Sequence, residues 1–237
     1  MLDKFAPVAA NRTLSALKTA FSWRVKRDTK TFPKSPCDEV EKPSPETERD
    51  RVLTDKELKL VWRAADQTNT PFGSMVKLLI LTGQRRGEVA NMTWEEIDFE
   101  KRLWTLPRER VKNNRRHEVP LSPEAITVLK QVPRIGDRFV FTTDGKVAAS
   151  DFGKKKRQLT ALLPSNMPSF TLHDFRRSAA SGMASLGISL PVIEKVLNHT
   201  SGSFSGIVSV YQHHNFAAEK RAALEAWGTH VAEIVAP

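Results

Sequence analysis

Apolar residues recur at helical spacing along most of this sequence, and between Ile97 and Leu121 that pattern changes to short strands. The chain is therefore predicted to be mainly α with a small antiparallel β-sheet, an α+β fold. Thr54 and Glu57 form a capping box ahead of the stripe Leu58, Val61, Trp62 and Ala65. Ser74 to Leu81 reads as a nearly all-apolar helix stopped by Gly83, and Arg85 to Met92 restarts as a short helix with Arg85 where the chain turns. The runs Ile97–Phe99, Leu103–Leu106 and His117–Leu121 read as strands, with Asn113 and Asn114 at the turn between the last two. Ser122 caps a helix with Pro123 at its first position and Ile126, Leu129 and Val132 on its buried side. Helices are predicted again over Asp151–Leu163, Leu172–Leu186, Pro191–Leu197, Ser205–His213 and Ala217–Ile234. The last offers Leu224, Trp227, Val231 and Ile234 as an apolar stripe that either packs within the chain or docks on a neighbouring protomer.

Ahead of this dense region, Asn11 to Arg27 reads as one amphipathic helix with Leu14, Leu17, Phe21 and Val25 in its stripe. A single helix cannot bury its own stripe, so it is read as the remnant of another domain. The next stretch, T-F-P-K-S-P-C-D-E-V-E-K-P-S-P-E-T-E-R, carries four prolines and no periodic apolar face and reads as an extended linker. The expected organisation is a helix remnant over 1–30, a linker over 31–50 and one domain over 51–237.

Lys and Arg total 37 against 27 acidic residues, and the net charge of +10 with a pI near 9.9 favours a polyanionic partner, nucleic acid before membrane. Simple solubility is the plainer explanation of the same charge. Cys37 is the single cysteine, which excludes an internal disulfide framework and cysteine-based zinc sites. The N-terminus shows no charged start leading into an apolar core, and the longest apolar run, M-V-K-L-L-I-L, is too short to span a bilayer. A cytoplasmic, nucleoid-associated location is expected.

Tyr211 is the only tyrosine, and it sits among histidines downstream of two arginine-bearing segments, T-G-Q-R-R-G-E and L-H-D-F-R-R. Taken alone it is an aromatic at a core edge. Beside clustered cations it suggests attack on a phosphate, which requires a nucleophile, cations that neutralise the phosphorane and an acid for the leaving oxygen. A phenol with a pKa near 10 is ionised about one part in a thousand at neutral pH, a handicap of roughly 4 kcal/mol that a base must remove. His173 and Arg176 lie three residues apart on one predicted helix and so face one phosphate together, with Arg85 closing a clamp from the other side.

These segments resemble the tyrosine recombinases, the phage integrase family, from about Arg51 to the end of the chain, and look closest to P4-like phage and genomic-island integrases. The first arginine motif of that family matches Thr82, Gly83, Gln84, Arg85, Arg86, Gly87, Glu88 and Val89; its H-x-x-R matches His173 to Arg176. Its hairpin lysine matches Lys112 in V-K-N-N-R-R-H-E-V-P-L, its L-G-H matches Leu197, Asn198 and His199 with asparagine in the glycine position, and its nucleophile matches Tyr211. The resemblance implies a site-specific DNA recombinase that cleaves and rejoins strands through a 3′-phosphotyrosine, without metal, ATP or any cofactor. It implies that Arg85 and Arg176 bind the non-bridging oxygens, Lys112 protonates the 5′-oxygen, His173 assists the phenol proton, His199 donates to the phosphate and Glu88 supports the site from behind. Double-stranded attachment sites, a homotetramer on DNA and accessory DNA-bending proteins are the implied partners. Phosphate contacts are assigned to Arg86, Arg115, Arg116, Lys154, Lys155, Lys156 and Arg177, for which solvated faces are the plainer alternative. His213 and His214 are read as capping the tyrosine helix, with contact to backbone phosphates as the alternative.

The family precedes this domain with a helical core-binding (SAM-like) domain, of which Asn11 to Arg27 resembles only the final helix, so weak and poorly specific DNA binding is expected of the chain alone. Three other readings stay open: a type IB topoisomerase-like enzyme with the same chemistry, a DNA-binding protein with the integrase fold and no independent recombination, and a metal-dependent nuclease. The last lacks a tight carboxylate cluster beside the basic motifs.

Overall fold

The computed structural model describes residues 7–45, 50–68, 71–111, 114–199 and 216–236. It divides into two compact units, Met1–Asp50 and Arg51–Pro237. In the first, α1 spans Pro7–Arg27. The proline-rich stretch after it does not run free as an extended linker. The Asn11 amide donates to the Ser44 carbonyl at 2.8 Å and accepts from the Ser44 N–H at 3.2 Å, Phe32 stacks on Phe21 at 5.9 Å, and Leu14 and Cys37 are buried. Prolines forbid a regular ladder there but not packing, so the segment covers part of the α1 stripe while Leu17 stays exposed.

The second unit is mainly α with one small sheet. Its helices are α2 (Asp55–Gln67), α3 (Phe72–Thr82), α4 (Arg86–Ala90), α5 (Pro123–Lys130), α6 (Phe152–Ala161), α7 (Asp174–Ser185), α8 (Leu190–Val196) and α9 (Ala217–Val235). The Thr54–Glu57 capping box forms as the spacing predicts, and Ser122 caps α5 by accepting from the Ala125 N–H. Strands β1 (Ile97–Asp98), β2 (Leu103–Leu106) and β3 (His117–Pro120) pair antiparallel in that order, with Leu106 opposite His117 and Leu103 opposite Pro120. Trp104 and Leu106 point into the core on alternate positions, in phase with His117 and Val119. Short 3-10 turns at Trp94–Glu96 and Arg108–Arg110, unmarked in the sequence, flank the sheet strands.

The core centres on α3, whose apolar residues are buried on every side. The closing helix α9 packs within its own chain: Leu224, Trp227 and Val231 are buried, and the Trp227 indole N–H donates to the Ile80 carbonyl of α3 at 2.8 Å. Trp227 packs closely against Gly182 of α7, where an added Cβ would come within 2.1 Å of the ring. The helix predicted over Ser205–His213 lies outside the described residues. No helix among the described residues is long and apolar enough to cross a membrane.

Candidate active site

The end of α3 sets the geometry. Gly83 closes the helix in the left-handed region (φ 63°), its N–H donating to the Leu79 carbonyl at 3.0 Å. A Cβ at this position would sit 3.1 Å from Ala179 of α7 and 3.1 Å from Leu197, the residue after α8. Glycine is thus needed both for the turn and for the close approach of two distant segments. Two residues on, Arg85 is the cap residue just ahead of α4; its backbone N–H donates to Glu88 Oε2 at 3.0 Å and its Nη1 to Glu88 Oε1 at 2.9 Å. Glu88 is buried while the Arg85 side chain is 30% exposed, so a fixed carboxylate holds one edge of a guanidinium that opens to solvent.

Arg176 comes from the first turn of α7 and is 3% exposed. Its Nη1 donates to the Gly83 carbonyl at 3.0 Å and its Nη2 to the Leu197 carbonyl. Both acceptors are neutral. Burial first, then the neighbouring Arg85 charge, lowers its pKa to about 10, which leaves it a cation at neutral pH. Arg85 reaches the same carbonyl shell, its Nη2 lying 3.3 Å from the Asn198 oxygen. Gln84, buried between the two arginines' supports, donates to the Val196 carbonyl at 2.9 Å. Four backbone oxygens, of Gly83, Val196, Leu197 and Asn198, therefore bind side chains from the two arginine motifs.

Asn198 occupies the left-handed region (φ 50°), which explains how asparagine stands where the family motif has glycine: its short polar side chain tolerates that conformation better than other non-glycine residues. His199 follows, exposed, with Nδ1 3.0 Å from a Glu194 carboxylate oxygen and its N–H on the Glu194 carbonyl. His173 precedes α7 and is exposed; desolvation first, then Arg176 and Arg177, holds its imidazole below the ordinary histidine range. The structure thus gathers Arg85, Glu88, Arg176 and the Leu197–Asn198 turn. Lys112, Asn113 and Tyr211 lie outside the described residues, as do His213 and His214.

Among the residues assigned to phosphate contacts, Lys154 is exposed, and Arg116 pairs with Glu118 at 2.9 Å while staying 66% exposed. Arg115 is exposed and Lys155 half-buried. Others are engaged internally. Arg86 lies over the Phe152 ring, Lys156 lies over Phe170, and Arg177 binds the fully buried Asp174 at 2.9 Å.

Two neighbours escaped the sequence reading. His117 on β3 is 6% exposed; burial first, then Lys220, lowers its pKa to about 3, with Arg176 and Arg85 adding to the shift. The Val196 carbonyl beside the ring opposes that shift, and Nε2 has no partner among the described residues. Its inward phase beside Val119 was the one available signal. Arg110, in the 3-10 turn after β2, donates through Nη2 to the Glu88 carbonyl at 2.7 Å and pairs through Nη1 with Glu96. Nothing in the run R-E-R-V-K distinguished it.

Residues 51–218 match the phage integrase family. The integrase of Salmonella phage P22 is 28% identical over 204 residues, covering 81% of this chain and 51% of the relative. The integrase of Enterobacteria phage P4 is 28% identical over 168 residues, covering 64% and 38%. The chain thus spans about half or less of these relatives' length. Among solved structures, a lambda integrase tetramer bound to a Holliday junction superimposes with a TM-score of 0.65 at 20% identity, covering 85% of this chain and 61% of that one. With the family match extending over most of the sequence and the same fold in that structure, the chain belongs to the phage integrase family, the tyrosine recombinases.

Proposed function

We propose that this chain is the catalytic part of a site-specific DNA recombinase that integrates or excises a mobile element. One observation carries the reading: Arg85 and Arg176, from segments far apart in sequence, are held by one shell of backbone carbonyls, and their hydrogen bonds to it leave further guanidinium donors for an anion. A phosphate is the anion such paired forks match. Tyr211 attacks the phosphorus, the bond to the 5′-oxygen breaks, and the departing oxygen takes a proton from Lys112. The phenol proton passes to His173, whose lowered pKa keeps it neutral and able to accept. His199 donates to a phosphate oxygen, with Glu194 orienting its ring. A 5′-hydroxyl from the partner duplex reverses the step and reseals the strand, so the energy of the broken bond is conserved in the phosphotyrosine.

DNA attachment sites are the substrate, a homotetramer on DNA is the working assembly, and DNA-bending proteins assist it. A nicked suicide duplex carrying the attachment core, incubated in EDTA, tests the reaction class. A covalent protein–DNA band from the native chain and none from Tyr211→Phe is expected. DNA binding without any covalent band would reassign the chain as a binding module, and relaxation of supercoils without recombinant products would favour a topoisomerase.

A further inference from the structure

We infer that Arg110 is a positioning residue for the Arg85 phosphate clamp, acting through Glu88; the inference rests on the reading of Arg85 given above. Glu88 is gripped from two ends. Its carboxylate fixes the Arg85 guanidinium and backbone N–H, and its carbonyl oxygen accepts from Arg110 at 2.7 Å. Helix α4 is only five residues long, too short to hold that geometry by its own ladder. An external donor at its third residue supplies the missing anchor.

Arg110 is itself anchored to the core. Its other nitrogen pairs with Glu96, whose carboxylate also accepts from the indole N–H of the fully buried Trp104 at 3.0 Å and from the Thr93 N–H at 3.2 Å. A continuous chain of contacts therefore runs from Trp104 through Glu96, Arg110 and Glu88 to Arg85. The fork of a guanidinium serves two acceptors in fixed directions, whereas a lysine ammonium holds neither orientation. Arg110 and Glu96 are 21% and 9% exposed, so this is an interior brace and not a surface pair.

A scissile methylphosphonate, in which a methyl group replaces one non-bridging oxygen and its charge, provides the test, because it lessens the need for a cationic clamp. Covalent-complex formation on nicked duplexes with either linkage is compared for the native chain, Arg85→Ala, Arg110→Lys and Arg110→Met/Glu96→Gln. The double variant leaves no buried lone carboxylate. The Arg110 variants are expected to lose about 10- to 100-fold on the phosphodiester and at least tenfold less on the methylphosphonate, following the pattern of Arg85→Ala. Equal loss on both linkages, or no loss on either, overturns the inference. Should the double variant fail to fold, Arg110→Lys decides by the same comparison. If Arg85→Ala itself loses equally on both, the reading of Arg85 falls and the inference with it, whereas a selective Arg85→Ala beside unselective Arg110 variants overturns the inference alone.

Discussion

Arg176 donates to the carbonyl of Gly83 at 3.0 Å, so the second arginine of the site is bonded to the turn that launches the first. The relative placement of the two guanidinium groups is thereby fixed by backbone, not by a flexible side-chain pair. Preorganised donors of this kind cost no reorganisation when charge develops on a phosphate.

That placement makes Gly83 sensitive to substitution out of proportion to its size. Gly83→Ala forces a Cβ into the left-handed region and against Ala179 and Leu197, each 3.1 Å away. The conformational strain alone costs about 1–2 kcal/mol. Denaturant unfolding is expected to show a loss of at least that size, and covalent-complex formation is expected to fall more than tenfold while the protein remains folded. Native-like activity in the variant would contradict the proposed role of the turn.

Asn198 offers the complementary test. With φ at 50°, Asn198→Ala adds left-handed strain, while Asn198→Gly relieves it at the expense of a freer unfolded chain. The glycine variant should exceed the alanine variant in stability by about 1 kcal/mol, read from paired unfolding curves. An alanine variant as stable as the glycine variant would show that the Leu197–Asn198 turn rearranges without cost.

Most of this architecture was legible in the sequence because it is locally encoded. The Thr54–Glu57 box, the Gly83 stop, Pro123 after Ser122 and the short run Leu103–Leu106 each fix an element from a few neighbouring residues. The arginine motifs were legible for the same reason. Arg110 and His117 were not, since their importance lies in contacts with Glu88 and Val196 that only the tertiary fold creates. The folded-back segment after α1 escaped for a related cause: one amide, Asn11, answers a backbone group 33 residues away.

His117 gives the domain a pH dependence of definite sign. Its pKa is about 3 in the folded chain and near 6.5 when ordinary, so between those values the unfolded state binds the extra proton. Stability is full above pH 6.5 and falls as pH drops through that window, by roughly 2 kcal/mol at pH 5 from this residue. His173, also lowered, adds in the same direction. Unfolding free energies measured from about pH 7 to about pH 5 are expected to decline in the native chain and to decline less steeply in His117→Asn, whatever its absolute stability. Parallel slopes would mean that His117 titrates normally in the fold.

The basic residues separate into two groups that respond to different measurements. Lys154 is exposed, and Arg116 keeps two-thirds of its side chain in solvent. Removing either should weaken DNA binding nearly uniformly across sequences and reduce the slope of log K against log salt by about 0.9 for each phosphate no longer neutralised. Arg177 behaves otherwise, because it neutralises Asp174, which is fully buried and also accepts from the Thr171 N–H at 2.7 Å. Arg177→Ala removes the cation that balances that buried carboxylate and should cost about 1–3 kcal/mol of stability, discounted for the arginine's own partial exposure. Gel shifts over a salt series, paired with chemical unfolding of the same proteins, distinguish the groups. A full-sized salt effect from Arg177→Ala with unchanged stability would move that residue from the scaffold to the DNA-facing surface.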